Sequence, residues 1–158
     1  MNENEQLITR FYSAFKRCDS AAMNDCYSND VLFSDPVFGM LDAKQVRKMW
    51  EMLCKNAKSL EIQFSNIQDI GDDYYTCDWT ATYIYSGTGR KVINNIKAYM
   101  RLSEGKIIEH SDGFSLNKWS RQALGPVGWL LGWNGFFQRK IRKMAQNSLR
   151  TYLEKNPD

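Results

Sequence analysis

The 158-residue chain has three prolines, one histidine and four cysteines, and each scarcity excludes something. So few prolines, with 43% hydrophobic and 13% aromatic residues, exclude disordered, collagen-like and low-complexity classes. Cys18, Cys26, Cys54 and Cys77 form no C-x-x-C pair. With a single His beside them they argue against structural zinc or a disulfide framework, and they predict reduced, mostly buried thiols. Long hydrophobic runs are missing as well. Gly125 to Phe137, the longest weakly polar stretch, is broken by glycines and far shorter than the roughly 20 residues of a membrane span. The start, Met1-Asn2-Glu3-Asn4-Glu5-Gln6, is polar and acidic, unlike the basic and apolar opening of a secretory signal, so a cytoplasmic protein is expected. A net charge of +3 lacks the dense basic patch of a nucleic-acid partner. No Gly-rich phosphate loop, G-x-S-x-G elbow, H-E-x-x-H or G-x-G-x-x-G occurs, so no cofactor or metal is expected.

What the chain does have is clear periodicity. Leu7, Ile8, Phe11, Ala14 and Phe15 recur at helical spacing, and Asp19 or Ser20 caps a short helix carrying Ala22, Met23, Cys26 and Tyr27. Val31 to Ser34 reads as a strand stopped at Asp35-Pro36. Asp42 with Gln45 three residues on predicts a third helix, with Val46, Met49, Trp50, Leu53 and Cys54 on its apolar stripe. From Leu60 to Leu116, alternation and turns at Gly71-Asp72-Asp73, Gly87-Thr88-Gly89 and Glu104-Gly105 predict an antiparallel sheet. The fold class is therefore α+β, helices first and then a curled sheet. In the tail, Asn117 caps a helical turn. A final helix follows, with Phe137, Ile141, Met144, Ser148 and Tyr152 on one stripe.

Chemistry concentrates on the last strand, where Ile108, His110, Asp112 and Phe114 share a face by period-two alternation. A histidine and a carboxylate turned inward are costly to bury unpaired, so they mark either a proton-transfer site or a hydrogen-bonded core pair. Asp35 either points inward as a second candidate or only starts a turn before Pro36. Trp79, Tyr83 and Tyr85 line a pocket or form core, and Lys97 faces solvent.

Two stretches carry a resemblance: Leu7 to Asp19 leading into V-L-F-S-D-P-V-F-G (Val31 to Gly39), and M-R-L-S-E-G-K-I-I-E-H-S-D-G-F-S (Met100 to Ser115). From Gln6 to Gln122 the chain resembles the nuclear transport factor 2-like superfamily, in the branch of SnoaL-like cyclases, ketosteroid isomerases and limonene epoxide hydrolases. The resemblance implies a cone: three N-terminal helices closing a strongly bent sheet around one deep apolar pocket, usually in a homodimer. Asp35 falls where ketosteroid isomerases place their general base. Their oxyanion-hole tyrosine and protonated aspartate correspond to Phe11 and Ala98, with Tyr12 next door. Asp112 falls at one aspartate of the epoxide hydrolases' Asp–Arg–Asp set, whose other members correspond to positions near Ala81 and Trp79. SnoaL-like cyclases use an inward aspartate or histidine on these strands for acid/base work, a role that the resemblance implies for His110 and Asp112.

The resulting expectation is an Asp/His proton-transfer enzyme without cofactor, acting as isomerase, cyclase or hydrolase on an apolar small molecule. Its catalytic candidates are Asp35, His110 and Asp112, in a pocket lined by Phe11, Tyr12, Phe15, Trp79, Tyr83, Ile96, Ala98 and Phe114. The alternative is a non-catalytic ligand-binding or adaptor domain. The division expected is residues 1–122 for the cone and 123–158 for a Trp-rich segment and basic helix. That extension either packs on its own domain or dimer, or lies on an acidic membrane surface through residues 125–155. From Lys118 onward there are eight basic and two acidic residues, so a +6 tail joins a −3 cone.

Overall fold

The computed structural model describes residues 1–157. Two capping boxes start the principal helices of the cone. Asn2 and Glu5 exchange side-chain and backbone hydrogen bonds at the start of α1 (Glu3–Lys16), as do Asp42 and Gln45 at α3 (Ala43–Asn56). Asp19, accepting from the Ala22 amide, caps the intervening α2 (Ser20–Asp25). The face of α1 carrying Leu7, Ile8, Phe11, Tyr12, Ala14 and Phe15 is buried, as its spacing predicts.

The sheet comprises β1 (Tyr27–Asp35), β2 (Gly39–Leu41), β3 (Glu61–Gly71), β4 (Tyr74–Tyr85), β5 (Arg90–Ser103) and β6 (Lys106–Gly113), in the order β2-β1-β6-β5-β4-β3. The α+β class and the curled sheet agree with the sequence. One pairing differs: β1 runs parallel to β6, with Phe33 beside His110 and Ser34 beside Ser111, so the sheet is mixed. Tyr27, read from the sequence as helical, opens β1 instead. Register shifts interrupt β3 between Ser65 and Gln68 and between Asp69 and Gly71, and such bulges add the bend that lets a sheet curl. A further shift between Arg101 and Leu102 pairs Leu102 with Ile107, so Ile107 rather than Ile108 faces inward below His110. The four cysteines are free, and burial pushes the Cys77 thiol up to about 12.

Three more helices follow. Ser115, not Asn117, caps α4 (Leu116–Leu124) by accepting from the Lys118 amide. This helix closes the β4–β5 end of the cone. There Gln122 bonds both backbone groups of Ile93, and Trp119 donates to the Tyr83 hydroxyl at 2.7 Å. Gly125, at φ 64° and ψ −130°, turns the chain into α5 (Pro126–Leu131) in a conformation open in practice only to glycine. A Cβ on Gly128 would run into the Ser120 carbonyl oxygen, so α5 crosses α4 at backbone contact. Asn134 then caps α6 (Gly135–Lys155).

The last helix packs on α3 by a stripe that keeps Tyr152 of the expected set but is otherwise shifted. Leu149 is buried, with Ala145, Tyr152 and Leu153 against the core, whereas Met144 and Ser148 are exposed. Tyr152 donates to Glu51, which also pairs with the largely buried Lys48 at 3.3 Å. Arg142 and Gln146 donate to the carbonyls of Pro36 and Phe38, so α6 grips the loop that follows β1.

Candidate active site

Period-two alternation on β6 turns His110 and Asp112 to the concave side, opposite Met100 and Ala98 of β5. Both are buried, and they are hydrogen-bonded to each other: His110 Nε2 lies 3.0 Å from Asp112 Oδ1. The pair belongs to a longer thread. Trp50 Nε1 donates to the Tyr27 hydroxyl at 2.9 Å, which lies 2.7 Å from His110 Nδ1, and Trp79 Nε1 donates to Asp112 Oδ1 at 3.2 Å. One proton arrangement satisfies every member. Tyr27, already accepting from Trp50, donates to an unprotonated Nδ1, and Nε2–H donates to the Asp112 carboxylate. Both imidazole nitrogens are thus occupied, while Asp112 Oδ2 has no partner among the described residues.

Asp35 ends β1 two residues after Phe33, and so shares its inward face. Its Oδ1 accepts from the amides of Val37 (2.8 Å) and Phe38 (2.5 Å), making the Asp-Pro turn, while the carboxyl stays partly buried. Asp35 thus makes the turn before Pro36 from a position on the inward-facing register of β1. Burial raises its pKa from 3.8 to about 6 against the lowering effect of those amides, and the Asp112 charge adds to the rise. The three candidate groups thus sit in one electrostatic neighbourhood, assembled from β1 and β6.

Rings fill the space around them. Phe11 stands edge-on to His110 at 5.6 Å, as does Phe33 at 5.1 Å, and the Trp50 ring stacks on it at 6.2 Å and 22°. Tyr12 packs on Trp79 and stacks on Phe64, and Phe15 contacts both Trp50 and Trp79. Ile96, opposite Trp79, and Ala98, opposite Asp112, complete the wall. The His110 side chain retains 0% of its accessible surface, so its surroundings hold no space for a water molecule. The space immediately around the imidazole is filled by the chain's own rings. The half-buried Phe64, with Lys16 5.2 Å above it, lies over the Tyr12 end.

Two expected lining residues are only partly buried, both packed against the edge of this core. Tyr83 is four residues beyond Trp79, about 13 Å along an extended strand, and α4 holds it through Trp119. Phe114, past the end of β6, is half-buried. Conversely, Tyr27, Trp50 and Phe33 contact His110 without having been read as site residues. Tyr12 carries a buried hydroxyl with no hydrogen-bond partner among the described residues, and burial next to the Asp112 charge drives its pKa well above the usual tyrosine value. No cluster of three or more His, Cys, Asp or Glu side chains suited to a metal forms among the described residues.

A bent sheet closed by helices, with carboxylates and an imidazole on its inner face, defines an α+β cone of the nuclear transport factor 2-like class. The SnoaL-like domain family matches residues 8–110, about two thirds of the chain, and the chain belongs to that family. No curated protein matches it. Among solved structures it is similar to a hypothetical protein with a ketosteroid isomerase-like fold from Catenulispora acidiphila DSM 44928, crystallised with trimethylamine. The TM-score is 0.67 at 14% identity, over 78% of this chain and 95% of that one. A protein provisionally named a SnoaL-like polyketide cyclase, from Jannaschia sp. CCS1, has a TM-score of 0.68 at 13% identity, over 78% and 93% of the two chains. An NTF2-like protein of unknown function from Burkholderia pseudomallei K96243 gives 0.63 at 17% identity, over 72% and 92%. At these identities the likeness is one of fold.

Proposed function

We propose that the protein is a cofactor-independent proton-transfer enzyme acting on an apolar small molecule with an enolisable carbonyl. The observation that carries this reading is the Asp35 carboxyl, turned inward beside Asp112 and His110 with its pKa raised to about 6. Such a group is ionised at neutral pH yet basic enough to take a proton from carbon and return it. Tyr12, a buried donor without a partner among the described residues, is suited to stabilise the oxygen on which charge develops. His110 has both nitrogens engaged, so its role is to position Asp112, whose charge strengthens Asp35 as a base. Substrate entry requires rings to move, with half-buried Phe64 at the edge. The protein works in this reading as a cytoplasmic homodimer.

The ring-filled surroundings of His110 favour a second reading, a non-catalytic ligand-binding or adaptor domain. Solvent deuterium uptake by β-tetralone, followed by mass spectrometry, separates the two. Catalysed uptake rising with pH through about 6 and reduced by about 10²–10⁴ in Asp35→Asn supports the enzyme. Uptake at the buffer rate across a panel of apolar enolisable ketones, with saturable binding of one of them, supports the binding domain. Catalysed uptake undiminished in both Asp35→Asn and Asp112→Asn removes these residues from the chemistry.

A further inference from the structure

The corner between α5 and α6 turns its large apolar side chains away from the protein. Trp129 is 62% exposed, Leu130 72%, Trp133 67% and Phe136 61%. Cations stand among them. The Arg121 guanidinium lies 4.4 Å over the Trp129 ring, Lys140 Nζ 5.0 Å over Phe136 and the Arg139 guanidinium 6.0 Å over the same ring. The corner is firmly placed, because Gly128 crosses α4 at backbone contact and α6 is anchored through Leu149. Large exposed apolar side chains gathered at one corner, with charge of one sign among them, mark an interaction site.

We propose that this corner docks on an anionic lipid bilayer. Trp129, Leu130, Trp133 and Phe136 enter the boundary between headgroups and acyl chains, and Arg121, Arg139 and Lys140 meet the lipid phosphates. Tryptophan suits that boundary, since its ring is apolar and its N–H remains available to headgroup oxygens. Charge selects this occupant over a second copy of the chain. A two-fold self-contact would oppose the same cations across the interface, on a tail whose net charge is +6. Among the described residues no helix is long and apolar enough to cross a membrane, so the corner lies on the surface rather than through it. The docking surface does not depend on the inner-face chemistry, and its failure would leave that reading intact.

The test is co-sedimentation of the full chain with vesicles of phosphatidylcholine containing one quarter phosphatidylserine, alongside phosphatidylcholine alone, at low and high salt. Binding to the anionic vesicles, weakened by salt and accompanied by a blue shift of tryptophan emission, supports the proposal. Arg139→Gln with Lys140→Gln lowers the partition coefficient about thirtyfold, from the usual worth of each basic residue near such a surface. Trp129→Ala with Trp133→Ala, or Leu130→Glu alone, lowers it about tenfold or more. These positions are exposed, so an unchanged urea midpoint verifies folding in each variant. Three results overturn the proposal. One is no binding to anionic vesicles at low salt, and another is binding that the corner variants leave intact. The third is a solution dimer that the corner variants split while lipid binding is absent, which assigns the surface to a second copy.

Discussion

Replacing Asp35 by Asn stabilises the protein at neutral pH if its carboxyl is held as the geometry requires. The folded state raises the Asp35 pKa from 3.8 to about 6, so between those values the native protein holds a proton that the unfolded chain releases. Stability then falls as pH rises through that window and levels off above it, the reverse of a salt-bridged aspartate. A gap of about two pH units corresponds to about 3 kcal/mol. The amide oxygen of the Asp35→Asn side chain would still accept from the Val37 and Phe38 amides but the group could not ionise, so the variant escapes the loss. The measurement is urea unfolding followed by tryptophan fluorescence at intervals from acid to mildly alkaline pH. Below the ordinary carboxylate range the two proteins are equally stable; above pH 7 the variant leads by up to about 3 kcal/mol, or roughly 6–12 °C in Tm. Other titrating groups cancel in the difference. A gap that does not vary with pH, or a variant less stable at neutral pH, would refute the buried, charge-repelled carboxyl and the general base built on it.

Tyr27→Phe leaves the Trp50 N–H and His110 Nδ1 without their shared partner, at a cost of about 2–4 kcal/mol in urea unfolding. A loss within error would mean that the thread is not formed. Tyr12→Phe removes a buried hydroxyl with no partner and should raise stability by about 1 kcal/mol, whereas a clear decrease would reveal a bond that the fold does not show. Gly128→Ala drives a methyl into the Ser120 carbonyl oxygen, so α5 must shift. The expected cost is about 2–3 kcal/mol, and an unchanged melting temperature would refute the close crossing.

His110 and Asp112 were legible as inward-facing because their alternation survives beyond the β5–β6 register shift. Ile108 was misplaced because the shift falls between it and them, and nothing in the local sequence announces it. Asp35 was legible only as an alternative, since a strand that stops at Asp-Pro fits either an inward last residue or a turn. The partners of His110 were not legible. Tyr27 and Trp50 reach it through the parallel β1–β6 pairing and the seating of α3, which local periodicity does not encode. A strand as short as Gly39–Leu41 lacks enough residues to display a period. The α6 stripe failed for another reason. Helical spacing fits the line through Phe137, Ile141 and Met144 as well as the line through Ala145, Leu149 and Leu153, and only the packing of α6 on α3 and the core chooses the latter. The site is thus readable where its groups are set by strand alternation, and unreadable where neighbouring elements bring the partners.

The parallel pairing of β1 with β6 also has a kinetic consequence. Tyr27 and His110 are 83 positions apart, and this pairing brings Asp35 into the same inner face as the His110–Asp112 pair. Closing so long a loop precedes any gain from the contacts it permits, which makes this step slow relative to the hairpins β3–β4 and β4–β5. During synthesis the N-terminal helices and β1 emerge long before their partner strand. Until β6 arrives, Phe11, Phe33 and Trp50 lack the His110 ring against which all three pack. The nascent chain therefore passes through a stage in which its aromatic interior is open to other proteins, and it is at that stage that shielding by a chaperone would matter most.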